Sequence, residues 1–401
     1  LGPGRDIFVA KPKGGFDSTL SGIPRRVLLP TDAPTAAALR ARGEQDGPDT
    51  RDRRQPRHVL PPLFSRVILP RPAASAGIAW GGSAMNAFVA AIGGSLLLAN
   101  AALAQAPTWS PPPENQRCPS RWGPNDERGS MNRQNPAAVM NAAKLIKTGE
   151  VIELGHVLSE KMPFFGTRRF DVHIKRTFMN QPSNRRGSNE EIVISEIGQV
   201  GTQFDGFAHQ THENSWYNCF KVDENSTRGG FLKLGVHNVG AIVTRGVLIE
   251  VALLKGVDTL PDTYEITVQD LEDALKKQNT TLQPGDAVII NTGWNKLWAK
   301  DNARYVKSCP GIGVKAAEWL IAKEPILLGS DNWPVEVSPN PDPQLSLPVH
   351  QVALVVNGVH LLENMKLDEL AQKQVYEFAF VMQPLKIQGG SGSTVAPIAI
   401  R

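Results

Sequence analysis

The sequence predicts a mixed α/β (α+β) domain over residues 105–401, built on a mixed sheet rather than a purely parallel one. Three observations support this. Short apolar runs rich in β-branched residues recur along the stretch. Segments with apolar residues three or four apart fall between them. The two kinds of segment do not settle into a regular strand–helix alternation.

Taken in order, 151–154 (Val-Ile-Glu-Leu) reads as a strand, and 191–197 alternates well enough to be another. Two strands follow at 241–243 and 246–251. A helix is expected over 267–277: Thr267 is a natural N-cap, Asp270 sits three residues later, and Leu271 and Leu275 are four apart. Gln283-Pro284-Gly285-Asp286 is a turn into the strand 287–290. A helix at 314–323 then leads through 325–328 into a further buried strand. The last elements are a helix at 367–373 and a strand at 377–382. Gly389-Gly390-Ser391-Gly392-Ser393 lacks the Gly-Lys-Ser/Thr ending of a phosphate loop and reads as a turn near the last strand.

Residues 1–84 differ from the rest. They are rich in Arg, Pro, Gly and Ala, show no sustained period, and are expected to be a disordered leader or a misassigned gene start. Residues 85–104 fit a signal peptide: an apolar run from Ala87 to Leu98, a small-x-small site at Ala102-Leu103-Ala104, then Pro107 and Pro111-Pro112-Pro113. A periplasmic or secreted mature chain is the expectation, with no membrane association after cleavage. The net charge of +4 is carried by the leader, which holds 13 basic and 7 acidic residues against 30 and 32 in the remainder. The domain therefore has no basic stripe for nucleic acid. Three cysteines, Cys118, Cys219 and Cys309, allow at most one intrachain disulfide. None has metal-ligand spacing, and buried or unpaired structural cysteines are expected.

The densest polar run is 199–213. On an extended chain, residues of equal parity share a face. Gln199, Gln203, Asp205 and His209 would then converge on one surface, where they can hold a cation and a water beside it. Gly201 and Gly206 would permit close backbone approach.

This run resembles the signature of the cyclase superfamily that includes bacterial kynurenine formamidase and isatin hydrolase. That signature reads His-x-Gly-Thr-His-x-Asp-x-Pro-x-His. Gly201, Thr202, Asp205 and His209 match it, while Gln199 and Gln203 replace two ligand histidines and Phe207 replaces the proline. The similarity continues through Glu153-Leu154-Gly155-His156, Met162-Pro163, 246–251, Pro284-Gly285-Asp286, Asn291-Thr292-Gly293-Trp294 and Pro310-Gly311-Ile312. It includes Glu318-Trp319-Leu320, Gly329-Ser330-Asp331, His350, Leu362-Glu363-Asn364 and Leu367-Asp368-Glu369-Leu370. The resemblance implies a single domain of swivelling β/β/α type and a homodimer or homotetramer. It also implies one or two divalent metals, zinc or manganese, held through Asp205, His350 and Glu363. His209 would be the proton-transfer group on a metal-activated water. Gln199 and Gln203 either stand among the metal ligands or bind substrate as amides.

Around this set, Gln203, Phe207, Trp216 and Trp333 are candidates to line a small-molecule pocket, with Tyr217 and Trp294 as further aromatic walls. His156 is expected to structure its loop. His212 and Glu213 are expected outside the chemistry, and His173, His237 and His360 in core or surface roles. The expected function is hydrolysis of a small cyclic amide, lactone or formamide. The alternative is a degenerate relative that binds a small ligand.

Overall fold

The aliphatic runs do form the centre of the fold. In the computed structural model, which describes residues 106–176 and 184–401, nine strands join one sheet. They are β1 (Val151–Glu153), β2 (Gln203–Asp205), β3 (Ile242–Glu250), β4 (Ala287–Asn291), β5 (Leu327–Ser330), β6 (His360–Glu363), β7 (Glu377–Met382), β8 (Gly392–Thr394) and β9 (Ile398–Ile400). Their spatial order is β1-β9-β7-β3-β4-β5-β6-β2-β8. The central strands β3 to β6 run parallel, and every pairing outside them is antiparallel. The expected leader (1–84) and signal peptide (85–104) lie outside the described residues.

Both faces of the parallel centre are covered. Val247, Ile249, Val288, Ile290, Leu328 and Leu361 enter one core, beside the helices Val268–Lys277 and Val314–Ile321. Leu248, Ala287, Ile289, Leu327 and Leu362 enter the other, with Phe378 and Phe380. Successive side chains on a strand point to opposite faces. Burial on both faces explains why these strands read as continuous apolar runs.

Thr267 caps its helix as expected: its Oγ1 accepts from Asp270 N at 3.2 Å, and Asp270 Oδ2 accepts from Thr267 N at 2.9 Å. The strands expected at 241–243 and 246–251 are one strand, β3. Gly246 does not interrupt it, because the Phe378 ring from β7 fills the space a side chain would take, 2.2 Å from a Cβ position. The strand expected at 191–197 forms at Asn189–Ser195, but outside the main sheet. It pairs with Phe170–Arg176 as a separate two-stranded ribbon.

The cysteine expectation is corrected. Cys118 and Cys219, 101 residues apart, form a disulfide with Cα atoms 6.0 Å apart, and only Cys309 is a free, buried thiol. Their sequence separation hid the pairing. Among the described residues, no helix is long and apolar enough to cross a membrane.

Candidate metal centre and active site

The site is built on β2, held between β6 and β8. Phe204 turns into the core, so Gln203 and Asp205 point together to the opposite face. Register places Gln203 opposite Glu363 and Asp205 opposite Leu361. The equal-parity reading holds for Gln203 and Asp205 only. Gln199 and His209 reach the same place through turns. The chain leaves the extended region at Gly201, with φ +68°, and His209 N donates to Gly206 O at 3.0 Å. Both glycines are required: a Cβ at Gly201 would lie 2.2 Å from Leu158 Cδ2, and one at Gly206 2.7 Å from the Ser391 carbonyl oxygen.

Asp205, His209, His350 and Glu363 converge beneath a cavity of about 140 Å³. Potential ligand atoms of Asp205, His209 and His350 lie within 4.8 Å of one another. His350 Nε2 is 3.6 Å from Asp205 Oδ2 and 3.2 Å from Glu363 Oε1. His209 Nε2 is 3.8 Å from Asp205 Oδ2. The two glutamines bind the other carboxylate oxygens: Gln203 Nε2 donates to Glu363 Oε2 at 2.7 Å and Gln199 Nε2 to Asp205 Oδ1 at 3.4 Å. Gln199 Nε2 is also 3.1 Å from His209 Nδ1. Asp205 Oδ2 and Glu363 Oε1, both buried, have no hydrogen-bond partner.

Behind His350 stands Glu336, fully buried. Its Oε1 is 2.7 Å from His350 Nδ1, and its two oxygens accept from Val349 N and His350 N at 3.0 Å each. A carboxylate on the far nitrogen fixes the ring and turns Nε2 toward the site. Burial opposes charge on His350, but the neighbouring Glu336 and Glu363 carboxylates outweigh it and raise its pKa well above the ordinary value. Burial, then the charge of Asp205, lifts Glu363 to about 8. His209 shifts the other way: burial lowers its pKa, against the pull of Asp205.

His360 braces the strand. Its Nδ1 lies 2.9 Å from the Asp205 carbonyl oxygen, and its ring stacks on Phe207 at 3.9 Å. Burial drives its pKa down to about 3, so the ring stays neutral.

Of the expected pocket residues, Gln203 and Trp333 line the cavity, with Gln199, His209, His350 and Glu363. Phe207 and Trp216 do not. Each is 1% exposed; Phe207 packs between Tyr217 and His360, and Trp216 against Phe231. Tyr217 and Trp294 are likewise core residues. His156 stacks on Trp298, as a loop-structuring residue should. Arg168, Phe165, Gln210 and Leu347 also line it, and none was singled out as a pocket residue from the sequence. Glu336 was missed too; it follows a Trp-Pro pair and has no local feature tying it to His350.

The model of the family described as "Putative cyclase" matches residues 152–337. A crystal structure of a novel cyclase is 31% identical, with a TM-score of 0.64, covering 70% of this chain and 98% of that one. Isatin hydrolase A from Ralstonia solanacearum is 20% identical, with a TM-score of 0.46, over 63% of this chain and 92% of that one. An isatin hydrolase bound to the product analogue thioisatinate is 19% identical, with a TM-score of 0.47, over 66% and 98%. No curated protein matches the chain.

Proposed function

The chain belongs to the cyclase family, and on that premise we propose that it is a metal-dependent hydrolase that opens a small cyclic amide or lactone, or cleaves a formamide. The observation that carries this reading is the pair of buried, unpartnered carboxylate oxygens, Asp205 Oδ2 and Glu363 Oε1, both facing His350 Nε2. Buried carboxylate oxygens without donors are costly, and a divalent cation satisfies both. Asp205, His350 and Glu363 would hold it, a three-residue set that leaves positions open. Gln199 and Gln203, whose amide nitrogens point at the carboxylates, would orient those ligands. When bound, such a cation supplies Lewis-acid activation of water and of the substrate carbonyl.

The chain's own groups do the rest. His209, neutral at pH 7 because burial lowers its pKa, moves the proton between the attacking water and the leaving nitrogen or oxygen. Gln199 ties His209 and Asp205 together through one amide. Phe165 and Trp333, with ring centroids 4.2 Å apart, form an apolar wall opposite the polar floor. A cavity of about 140 Å³ suits a substrate of one small ring, since a cavity of about 150 Å³ holds benzene. The Cys118–Cys219 disulfide supports a mature protein that works in an oxidising compartment, periplasmic or secreted.

One observation favours a rival reading, a ligand-binding protein without metal. The glutamine amides already hold one oxygen of each carboxylate. Metal content separates the two. Plasma mass spectrometry of the purified chain should find zinc or manganese bound, and Asp205→Ala should lose it. The loaded chain should then hydrolyse small lactams, lactones or formamides. A chain that takes up neither metal after incubation with both sinks the hydrolase reading.

A further inference from the structure

The cavity wall holds a cation that neither metal binding nor proton transfer uses. Arg168 is half-buried and lines the cavity beside Phe165 and Trp333. No other arginine or lysine lines it. Arg168 N donates to Phe165 O at 3.2 Å, closing a turn that brings both residues to the cavity. A guanidinium carries five N–H donors. This one makes a single hydrogen bond among the described residues: Nη1 donates to the Gln199 carbonyl oxygen at 3.4 Å, beyond the usual length of such a bond. Other arginines of the chain have carboxylates. Arg169 Nε is 3.3 Å from Asp171 Oδ2, Arg304 Nη2 is 2.6 Å from Asp262 Oδ1, and Arg245 pairs with Asp286 at 3.0 Å and Glu377 at 2.8 Å. Arg168 has no ion pair with a carboxylate among the described residues. It nevertheless sits close to the floor of the site. Gln199, whose carbonyl holds the guanidinium, sends its side-chain amide to Asp205 and His209.

We propose that Arg168 is a specificity residue that holds a carboxylate carried by the substrate, so that the pocket takes an anionic small ring in preference to a neutral one. This rests on the hydrolase reading and adds to it the charge of the substrate. The three parts of the cavity divide the work. The scissile carbonyl lies over the floor of Asp205, His350 and Glu363, and the ring lies against Phe165 and Trp333. The carboxylate lies on the guanidinium. A planar guanidinium matches a carboxylate with two parallel hydrogen bonds, and such charge-assisted bonds are about twice as strong as neutral ones. Half-burial raises the value of the pair over that of an exposed one. A neutral ring is discriminated against by the same chemistry. On entering it takes water away from the guanidinium and returns no acceptor, leaving a desolvated charge with one long bond. A site built to pair a polar group rejects the analogue that lacks it more strongly than it rejects a change in apolar size.

Titration calorimetry on the full chain, incubated with zinc, tests this with two probes of one ring and similar shape, benzoate and benzamide. The parent should bind benzoate about tenfold or more tightly than benzamide, the contribution of a charge-assisted hydrogen bond. Arg168→Gln should remove that preference. Arg168→Lys, which keeps the charge but not the planar fork, should retain part of it. Circular dichroism of both variants should match the parent, since Arg168 is half-buried and gives up one long hydrogen bond. Benzoate binding no tighter than benzamide overturns the proposal. So does a preference that Arg168→Gln leaves intact, because the carboxylate then sits on the zinc. Zinc content measured on the same samples keeps the two readings apart: an Arg168-dependent preference in a chain that holds no zinc keeps the anion subsite and sinks the hydrolysis alone.

Discussion

Asp331 and Asp205 are both fully buried aspartates at strand ends of the same sheet, and they are treated in opposite ways. Asp331, just past β5, accepts from Thr292 N at 2.8 Å, Thr292 Oγ1 at 2.7 Å, and Asn295 N and Ser330 Oγ at 3.4 Å. Burial lifts its pKa to about 6, and the Thr292 and Asn295 donors hold it below neutrality. Asp205 has one long hydrogen bond from Gln199, and its Oδ2 faces two imidazoles without bonding to either. Buried polar groups are normally satisfied, so a convergent set of unsatisfied ones needs a reason. Asp331 is solved by the fold. Under the proposed function, a cation would complete Asp205.

The comparison breaks most sharply in the unfolding equilibrium of chelator-treated protein. Asp331→Ala strands two backbone N–H groups and two hydroxyls inside the fold, and should cost about 3 kcal/mol or more. Asp205→Ala removes a poorly partnered charge and should change stability by less than about 1 kcal/mol, or increase it, as functional-site substitutions do. Urea titration of both variants at pH 8 reads the difference. Equal losses would mean that Asp205 is held for structure.

Glu250, at the end of β3, sharpens the contrast. It is 3% exposed, with Asn291 Nδ2 donating to its Oε2 at 2.8 Å and its Oε1 unpartnered. Unlike Asp205, it belongs to no group of potential metal ligands among the described residues. It keeps a proton instead: burial raises its pKa to about 7. Its folded pKa therefore lies above the unfolded value of 4.5. The folded state binds the proton more tightly, so this contribution favours folding below about pH 4.5 and is lost as pH rises to about 7. The loss is about 3 kcal/mol at most. Glu250→Gln should flatten the fall in stability between those two pH values, measured by denaturant midpoints at pH 5 and pH 8. An unchanged slope would place the Glu250 carboxylate in water and undo the contrast.

What the sequence disclosed depended on whether the information was local. Thr267 and Asp270 are three residues apart, and their capping box forms as expected. The strands β3 to β5 were legible because burial on both faces leaves continuous apolar runs, whereas β6, with His360 and Glu363 at the ends of two leucines, was not read as a strand. Asp205 and His209 were picked out by parity and resemblance, and His350 and Glu363 by resemblance alone; the register of β2 against β6 sets Asp205 near Glu363, while His209 arrives through a turn and His350 from the short helix Pro348–His350. Periodicity cannot say which aromatic faces a cavity: Phe207 and Trp216 sit in or near the signature, yet both are core, while Trp333, far along the chain, lines the pocket. The alternation in 191–197 identified a strand but not its neighbour, because pairing partners are chosen in space. Cys118 and Cys219 illustrate the same limit. So does Glu336, whose purpose exists only once His350 folds back against it.

Glu336 also carries the smallest of the expected effects. It contacts no cavity space; it binds His350 Nδ1 and the two amides that shape the loop around it. Glu336→Gln keeps the shape and an acceptor but removes the charge that polarises the imidazole. Partners one step behind a metal ligand typically contribute 10- to 100-fold in affinity. Zinc or manganese affinity, read by competition with a chromogenic chelator, should therefore fall by about 10- to 100-fold, while the fold persists. A variant that binds metal as tightly as the parent would show that the His350 ring is placed by packing alone. The Asp205–His350–Glu363 set would then need another anchor, and none of the other polar contacts around His350 on the cavity side offers one, since Asp205 Oδ2 and Glu363 Oε1 are themselves unbonded.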